Sequence, residues 1–131
     1  MAGRLPTSPQ NRPMPRLKIS IVFESGARIG PGKAKLLESV RDTGSISAAA
    51  RDMRMSYKRA WLLLDSMNQA FTEPVVVGAP GGARGGGAAL TEFGAEVLER
   101  YHRIHAAAVA ETDADLTALA RHTRTTAGIK I

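Results

Sequence analysis

Apolar and polar positions alternate along Leu17–Glu24, whose sequence is LKISIVFE, and this alternation predicts a strand with one buried face. A glycine-rich turn follows, and helical spacing of apolar residues then runs from Lys33 to Gly44. Glycine is common just beyond the last turn of a helix, so Gly44 marks the expected end. The turn ends in Gly-Lys like a phosphate-binding loop. It lacks that motif's first glycine and its hydroxyl, so nucleotide binding is not expected.

Two closely spaced helices are predicted next, and Ser45 and Ser56 are suited to cap their N-termini. Apolar residues follow each serine at helical spacing: Ile46, Ala49, Ala50 and Met53 in the first helix, and Ala60, Trp61, Leu64, Met67 and Phe71 in the second, which ends before Pro74. The small alanines let the helices approach closely. This arrangement is typical of a helix-turn-helix, while a plain helical hairpin remains an alternative.

A glycine-rich hairpin is predicted after the second helix. Val75–Val77 and Ala88–Leu90 are the expected strands, and residues 78–87 between them contain six glycines and Arg84. A hairpin directly after this helix is the wing of a winged helix, and an arginine at its tip suits a phosphate or the minor groove. A simple glycine-rich spacer is the alternative.

The last segment predicts one long helix that begins at Thr91 and carries two apolar stripes. The first stripe can pack on the core and consists of Phe93, Val97, Tyr101, Ile104 and Ala108. The second implies a partner helix, most simply from another copy of the chain, and consists of Leu98, Val109, Leu116 and Leu119. Fraying beyond Asp113 is the alternative. Glu99, His102 and His105 share a helix face, but we expect them to be structural or solvated and predict no metal site.

Composition and charge narrow the class of protein. The chain has 131 residues, of which 44% are hydrophobic and none is cysteine, so it suffices for one domain without disulfides, Cys-ligated metals or thiol nucleophiles. The net charge is +6, and the excess of Lys and Arg over Asp and Glu lies within residues 1–60. This distribution favours a polyanionic partner such as nucleic acid. No signal peptide and no membrane span are expected, so we predict a cytoplasmic protein.

The segment Gly44–Phe71, GSISAAARDMRMSYKRAWLLLDSMNQAF, resembles the N-terminal DNA-binding domain of the ModE family of molybdate-responsive transcription regulators. The glycine-rich hairpin and the following LTEFGAEVLERY extend the resemblance over Leu17–Tyr101, and SYKRAW at Ser56–Trp61 is its most specific part. More distantly, the chain is similar to LysR-type regulators. We find no counterpart of the family's molybdate-binding effector region, so no cofactor is predicted in this chain and molybdate is implied by the family alone.

The resemblance implies a homodimer that binds a pseudo-palindromic operator in double-stranded DNA, usually as a repressor of molybdate-uptake or molybdenum-related genes. Molybdate would then be sensed by a separate protein, or not at all. Trp61 and Leu64 match the core side of the motif. The implied DNA contacts are Ser47, Arg54, Ser56, Tyr57, Lys58, Arg59 and Arg84.

We therefore expect a mainly α protein with a small β wing, namely a winged helix-turn-helix with an N-terminal strand and a long C-terminal dimerisation helix. Residues 1–16 are expected to form a flexible, basic, proline-rich arm, residues 17–90 the DNA-binding domain, and residues 91–131 the last helix with a frayed tail. The expected function is sequence-specific DNA-binding transcriptional regulation without catalysis. A winged-helix module that binds proteins and not DNA is the alternative.

Overall fold

The computed structural model of the chain describes residues 15–80 and 87–124, and about 60% of these residues are helical. The described residues 18–80 and 87–104 belong to one compact unit, and residues 15–17 and 105–124 belong to a second. No helix within the described ranges is long and apolar enough to cross a bilayer. In chain order the elements are β1 (Ile21–Val22), β2 (Arg28–Ile29), α1 (Pro31–Thr43), α2 (Ile46–Asp52), α3 (Tyr57–Ala70), β3 (Val76–Ala79), β4 (Gly87–Leu90), α4 (Glu92–Glu111) and α5 (Asp113–Ala120).

The helix ends follow the capping residues that the sequence predicts. Gly44 ends α1 with a φ of 72°, a left-handed conformation that glycine adopts without strain. At the start of α2 the Ser45 hydroxyl accepts a hydrogen bond from the N–H of Ala48 at 3.1 Å. At the start of α4 the Thr91 hydroxyl likewise accepts one from Gly94 at 2.8 Å. These three predictions are confirmed.

The core lies where α1, α2 and α3 pack against one another. Ala49 of α2 and Ala60 of α3 are fully buried, and their small side chains allow the close helix contact that the sequence predicts. The largest fully buried side chains are Leu36, Leu37, Met67, Val40 and Val75. Helix α1 therefore packs against both helices of the α2–α3 pair.

The described residues form two separate antiparallel sheets of two strands each. In the first, β1 pairs with β2 and Ile21 lies opposite Ile29. In the second, β3 pairs with β4 and Val76 lies opposite Leu90, which confirms the predicted hairpin. The strand β2 is not predictable from the sequence, because two residues are too few for an alternating pattern to be recognised.

The strand expected over Leu17–Glu24 is wrong in extent, since only Ile21 and Val22 pair in a sheet. Before them, the Tyr101 hydroxyl donates a hydrogen bond to the carbonyl of Ile19 at 2.7 Å. Burial raises the pKa of Tyr101, so its phenol keeps the proton it donates. A side chain thus satisfies a carbonyl that would otherwise need a partner strand.

The single long C-terminal helix that the sequence predicts is interrupted at Thr112, between α4 and α5. The Thr112 hydroxyl donates to the carbonyl of Ala108 at 2.7 Å, and such a bond to the preceding turn bends helices. Its φ of −109° and ψ of 12° also depart from helical values. The expectation of one helix from Thr91 onwards is therefore corrected to two.

These elements correct the expected fold class, a mainly α winged helix-turn-helix with a small β wing, an N-terminal strand and a long C-terminal dimerisation helix. The described residues instead form a mainly helical structure with two small antiparallel sheets. Residues 81–86 of the expected wing, and all but the last two residues of the expected arm over 1–16, lie outside them. The expected division into residues 17–90 and 91–131 stays a prediction.

Asn68 joins the end of α3 to β3. Its Oδ1 accepts hydrogen bonds from the N–H groups of Val75 at 2.7 Å and Val76 at 3.2 Å, and its Nδ2 donates to the Val76 carbonyl at 3.0 Å. One side chain therefore provides hydrogen-bond partners for three main-chain groups of Val75 and Val76, on the edge of β3 away from β4. This role of Asn68 is not visible in the sequence, because a single polar residue at a helix end carries no periodic signal.

Candidate nucleic-acid interface

The turn between α2 and α3 holds Arg54 in a left-handed backbone conformation with a φ of 57°. The N–H of Met55 donates to the Ala50 carbonyl at 3.0 Å, and the N–H of Arg54 donates to the Arg51 carbonyl at 3.1 Å. Left-handed backbone costs a residue other than glycine about 1 kcal/mol. The Arg54 side chain is exposed. Arg54 is therefore an exposed cation at a position whose backbone conformation glycine adopts more easily.

The first turn of α3 is exposed and cationic. The Ser56 hydroxyl accepts a hydrogen bond from the N–H of Arg59 at 3.0 Å, which confirms the predicted cap. Tyr57, Lys58 and Arg59 are exposed, whereas Ala60 is fully buried. No acidic residue lies in this turn. The helix therefore presents two cations at the end where its own dipole is positive, and both effects attract anions.

The predicted contact residues that the structure describes are all exposed, namely Ser47, Arg54, Ser56, Tyr57, Lys58 and Arg59. Ser47 lies in the first turn of α2 and the others in the α2–α3 turn or the first turn of α3. Arg84 lies within residues 81–86, outside the described residues. Exposure makes the described set available to a ligand, and its role in binding stays a prediction.

Trp61 is 46% exposed, which corrects the expectation that it lies on the core side of α3. Ala60, Leu64 and Met67 form the buried stripe of this helix, so the core position expected for Leu64 is confirmed. Trp61 follows Ala60 by one residue and is turned from it by about 100° around the helix axis. The helical spacing of apolar residues does not show which of these two positions is buried, because both fall within a wide apolar stripe.

A cleft of about 300 Å³ lies between α3 and the β3–β4 hairpin, and we call it the α3 cleft. Trp61 and Tyr57 line it from the helix, together with Asp65. Gly78 and Gly87 line it from the hairpin. The cleft therefore combines two aromatic side chains and one carboxylate with glycine main chain.

The residues predicted to form a dimer interface differ in exposure. Leu98 is 2% exposed and belongs to the core of its own chain, so its assignment to an interface is corrected. It lies three residues before the buried Tyr101, on the same inward side of α4. In the C-terminal unit, Val109 and Leu116 are half-buried and Leu119 is 67% exposed. These three stay predicted interface residues.

Glu99, His102 and His105 do not form a common site. The Nε2 atom of His102 lies 2.6 Å from a carboxylate oxygen of Glu38, and Glu99 pairs with Arg103 at 3.4 Å. In the C-terminal unit, the Nε2 atom of His105 lies 2.6 Å from the Leu17 carbonyl. Across residues 15–80 and 87–124 no three His, Cys, Asp or Glu side chains are placed to hold a metal ion.

Comparison with known proteins finds relatives named for molybdenum-pterin binding, molybdenum transport and transcriptional regulation, and no protein-family model matches the chain. The molybdenum-pterin-binding protein MopB of Rhodobacter capsulatus is 45% identical over 86 residues, which cover 66% of this chain and 32% of that protein. The molybdenum transport protein ModE of Azotobacter vinelandii is 36% identical over 87 residues, with the same two coverages. The DNA-binding transcriptional dual regulator ModE of Escherichia coli K12 is 41% identical over 71 residues, 54% of this chain and 27% of that protein. The chain thus spans about a third of the length of the curated relatives it matches.

These matches correct the resemblance stated from the sequence. From the sequence alone, the resemblance is to the N-terminal DNA-binding domain of the ModE family, without a molybdate-binding region. Two thirds of the chain match a protein named for binding molybdenum-pterin, at higher identity than the matches to ModE of A. vinelandii or E. coli. The likeness is to Mop and ModE proteins together, and the narrower assignment, with the winged-helix fold it implied, is not retained.

The prediction that this chain has no cofactor is likewise wrong. It rested on the absence of a recognisable effector region, whereas MopB shares 86 aligned residues with the chain and is named for the molybdenum-pterin that it binds. The lack of a recognisable effector region therefore does not exclude molybdenum binding. The names of these three relatives describe binding, transport and regulatory proteins, and none describes an enzyme.

Proposed function

We propose that this chain is a DNA-binding transcriptional regulator that acts in the control of molybdenum-related genes. The observation that carries the proposal is the change of exposure along α3, where an exposed cationic turn ends at the fully buried Ala60. A helix that reads a DNA groove needs this division, because its first turn meets the DNA while the rest packs on the core. The names of the relatives supply the connection to molybdenum and transcription.

In this proposal α3 enters the major groove with its first turn leading. Lys58 and Arg59 donate hydrogen bonds to guanine edges, and Tyr57 contributes to base discrimination. Arg54 lies in the turn that precedes α3 and contacts phosphates, which explains why an arginine occupies that strained position. The hydroxyls of Ser47 and Ser56 and the guanidinium of Arg84 complete the proposed set of contacts.

The proposal includes a homodimer. Leu119 is 67% exposed on α5, and a leucine that is two thirds exposed gains stability by packing against a second copy. Val109 and Leu116 are half-buried in the same unit and leave part of their apolar surface for that partner. Two α3 helices would then occupy half-sites about 34 Å apart, and the operator would be pseudo-palindromic.

A molybdenum oxyanion is the proposed signal, and the arginines of α4 provide one test of fit. Such an anion is held by cations and by N–H or hydroxyl donors. Arg100 and Arg103 line a shallow depression on α4, but Arg100 pairs with Glu96 at 2.8 Å and Arg103 pairs with Glu99 at 3.4 Å. Glu92 adds a third carboxylate. This surface has a net negative charge and does not fit an oxyanion, so we assign it no part in binding.

Fluorescence anisotropy titration tests the proposal with two labelled duplexes, one from upstream of the chain's own gene and one scrambled. Each duplex is titrated at two salt concentrations, with and without molybdate. We expect tighter binding to the upstream duplex and a steep loss of affinity with salt, because each neutralised phosphate contributes a slope of about −0.9 in log K against log salt. Equal affinity for both duplexes removes sequence specificity from the proposal.

The titrations with molybdate test whether molybdenum is the signal, and the titrations at low salt test whether the chain binds DNA at all. A change of affinity for the upstream duplex on adding molybdate supports molybdenum as the signal, and no change removes the signal but leaves DNA binding. A protein-interaction module would bind neither duplex even at low salt, which overturns the proposal. Sulfate at the same concentration controls for ionic strength in the molybdate arm.

A further inference from the structure

Two exposed aromatic side chains of α3, Tyr57 and Trp61, lie on the face that the proposed function turns towards DNA. Tyr57 is 54% exposed and Trp61 is 46% exposed, although tryptophan is highly buried in most proteins. They are four residues apart on one helix, so they lie on the same side one turn apart. Folding therefore leaves a large apolar surface in water directly beside Lys58 and Arg59.

The α3 cleft gives these aromatic residues a defined surrounding. Tyr57 and Trp61 line it beside Val77 and the two glycines of the hairpin, Gly78 and Gly87. Asp65 lines the same cleft one turn beyond Trp61, and its carboxylate repels phosphate. A phosphate therefore fits the cationic first turn better than the cleft, where the two aromatic rings and Val77 offer apolar contact to an uncharged group.

The major groove of DNA presents one apolar group of this kind, the C5-methyl group of thymine. We infer that Tyr57 and Trp61 form an apolar contact surface for thymine methyl groups, so that α3 reads thymine through its aromatic residues and guanine through its cations. This inference rests on the proposed DNA-binding function. It names a base-contact role for Trp61, which the sequence analysis places in the core.

The test replaces thymine by deoxyuridine, one position at a time, in the upstream duplex. The replacement removes only the methyl group, so hydrogen bonding and charge are unchanged. Burial of one such group corresponds to about a fourfold change in affinity. We expect at least one position at which deoxyuridine weakens binding about fourfold, and we expect this ratio to fall to about one in Trp61→Ala, as a double-mutant cycle requires.

Leu62→Ala is the matched control. Leu62 is 51% exposed on the same helix and does not line the α3 cleft, so its variant should keep the thymine-to-deoxyuridine ratio. Trp61→Phe provides a second variant with an aromatic ring, and it should keep part of the ratio. Thermal melting followed by circular dichroism establishes that all three variants fold.

Fluorescence gives an independent readout, because Trp61 is the only tryptophan of the chain. Binding of the upstream duplex should change its emission, and replacing the methyl group by bromine in 5-bromodeoxyuridine should quench it further at the contacted position. The inference is overturned if the wild-type protein binds thymine and deoxyuridine duplexes equally at every position, or if Trp61→Ala keeps the ratio. If no duplex binds at low salt, the proposed function itself fails and this inference fails with it.

Discussion

Gly94, in the first turn of α4, lies against the main-chain carbonyl of Val75 with no space for a Cβ atom between them. The N–H of Thr91 donates to the same carbonyl at 2.9 Å, and the Thr91 hydroxyl donates to the Pro74 carbonyl at 2.7 Å. The first turn of α4 is thus held by hydrogen bonds and a close main-chain contact against Pro74 and Val75, which precede β3. This contact sets the position of the β3–β4 hairpin, which forms one wall of the α3 cleft.

Gly94→Ala should destabilise the fold, because its Cβ atom meets main chain and not a movable side chain. We expect a loss of about 3 kcal/mol in the free energy of unfolding, measured by denaturant titration. Gly32→Ala is the control, since a Cβ atom there meets nothing and Gly32 lies within α1. That variant should be as stable as the wild type or more stable by up to about 1 kcal/mol. Equal stability of the two variants would contradict the close contact.

Asn68→Ala should also destabilise the fold. The fully buried Val75 and the nearly buried Val76 would lose the partner of their N–H groups, and an unsatisfied buried donor costs about 1–3 kcal/mol. We expect a total loss of about 3 kcal/mol in thermal or denaturant unfolding. Gln69→Ala, at the exposed neighbouring position, should change stability little. A small effect of Asn68→Ala would mean that water replaces the side chain.

Arg54→Gly should raise the stability of the fold and weaken DNA binding. Glycine adopts a φ of 57° freely, so the variant should gain about 1 kcal/mol of stability. The loss of the guanidinium should weaken DNA binding at low salt. Arg54→Ala removes the same charge and keeps the backbone strain, so it should weaken binding equally without the gain in stability. If Arg54→Gly binds DNA like the wild type, Arg54 has no part in the interface.

Arg59→Ala should weaken binding to the upstream duplex more than to the scrambled duplex, because a base contact carries sequence information. Arg84→Ala should instead weaken binding to both duplexes and lower the salt slope by about one. Arg103→Ala removes the same charge from the exposed surface of α4 and should leave the preference unchanged. Equal losses on both duplexes would make Arg59 a phosphate contact, and an unchanged slope would remove Arg84 from the interface.

Leu119→Asp should shift the chain from dimer to monomer in sedimentation equilibrium. A charge at an apolar contact has no partner there, and its desolvation opposes association. Ala114→Asp adds the same charge at another exposed position of α5 and should leave the mass unchanged. A wild-type protein that is already monomeric at high concentration would contradict the proposed dimer.

The sequence by itself determines the helix ends and three buried positions of α3, although its apolar pattern also includes the exposed Trp61. Ser45, Ser56 and Gly44 act through hydrogen bonds and backbone angles within a few residues, so a local pattern suffices to predict them. The stripe of Ala60, Leu64 and Met67 also follows from helical spacing. The cationic first turn of α3, which carries the candidate interface, is visible in the sequence for the same reason.

Only the tertiary structure decides which side chains meet across the chain. Leu98 has the spacing of an interface residue and is buried in its own core, whereas Trp61 has the spacing of a core residue and is half-exposed. The Ile19 carbonyl, in the alternating segment, accepts its hydrogen bond from Tyr101, far along the chain, and not from a neighbouring strand. Burial and hydrogen-bond partners at these positions depend on neighbours that are remote in sequence, and periodicity along one element does not contain that information.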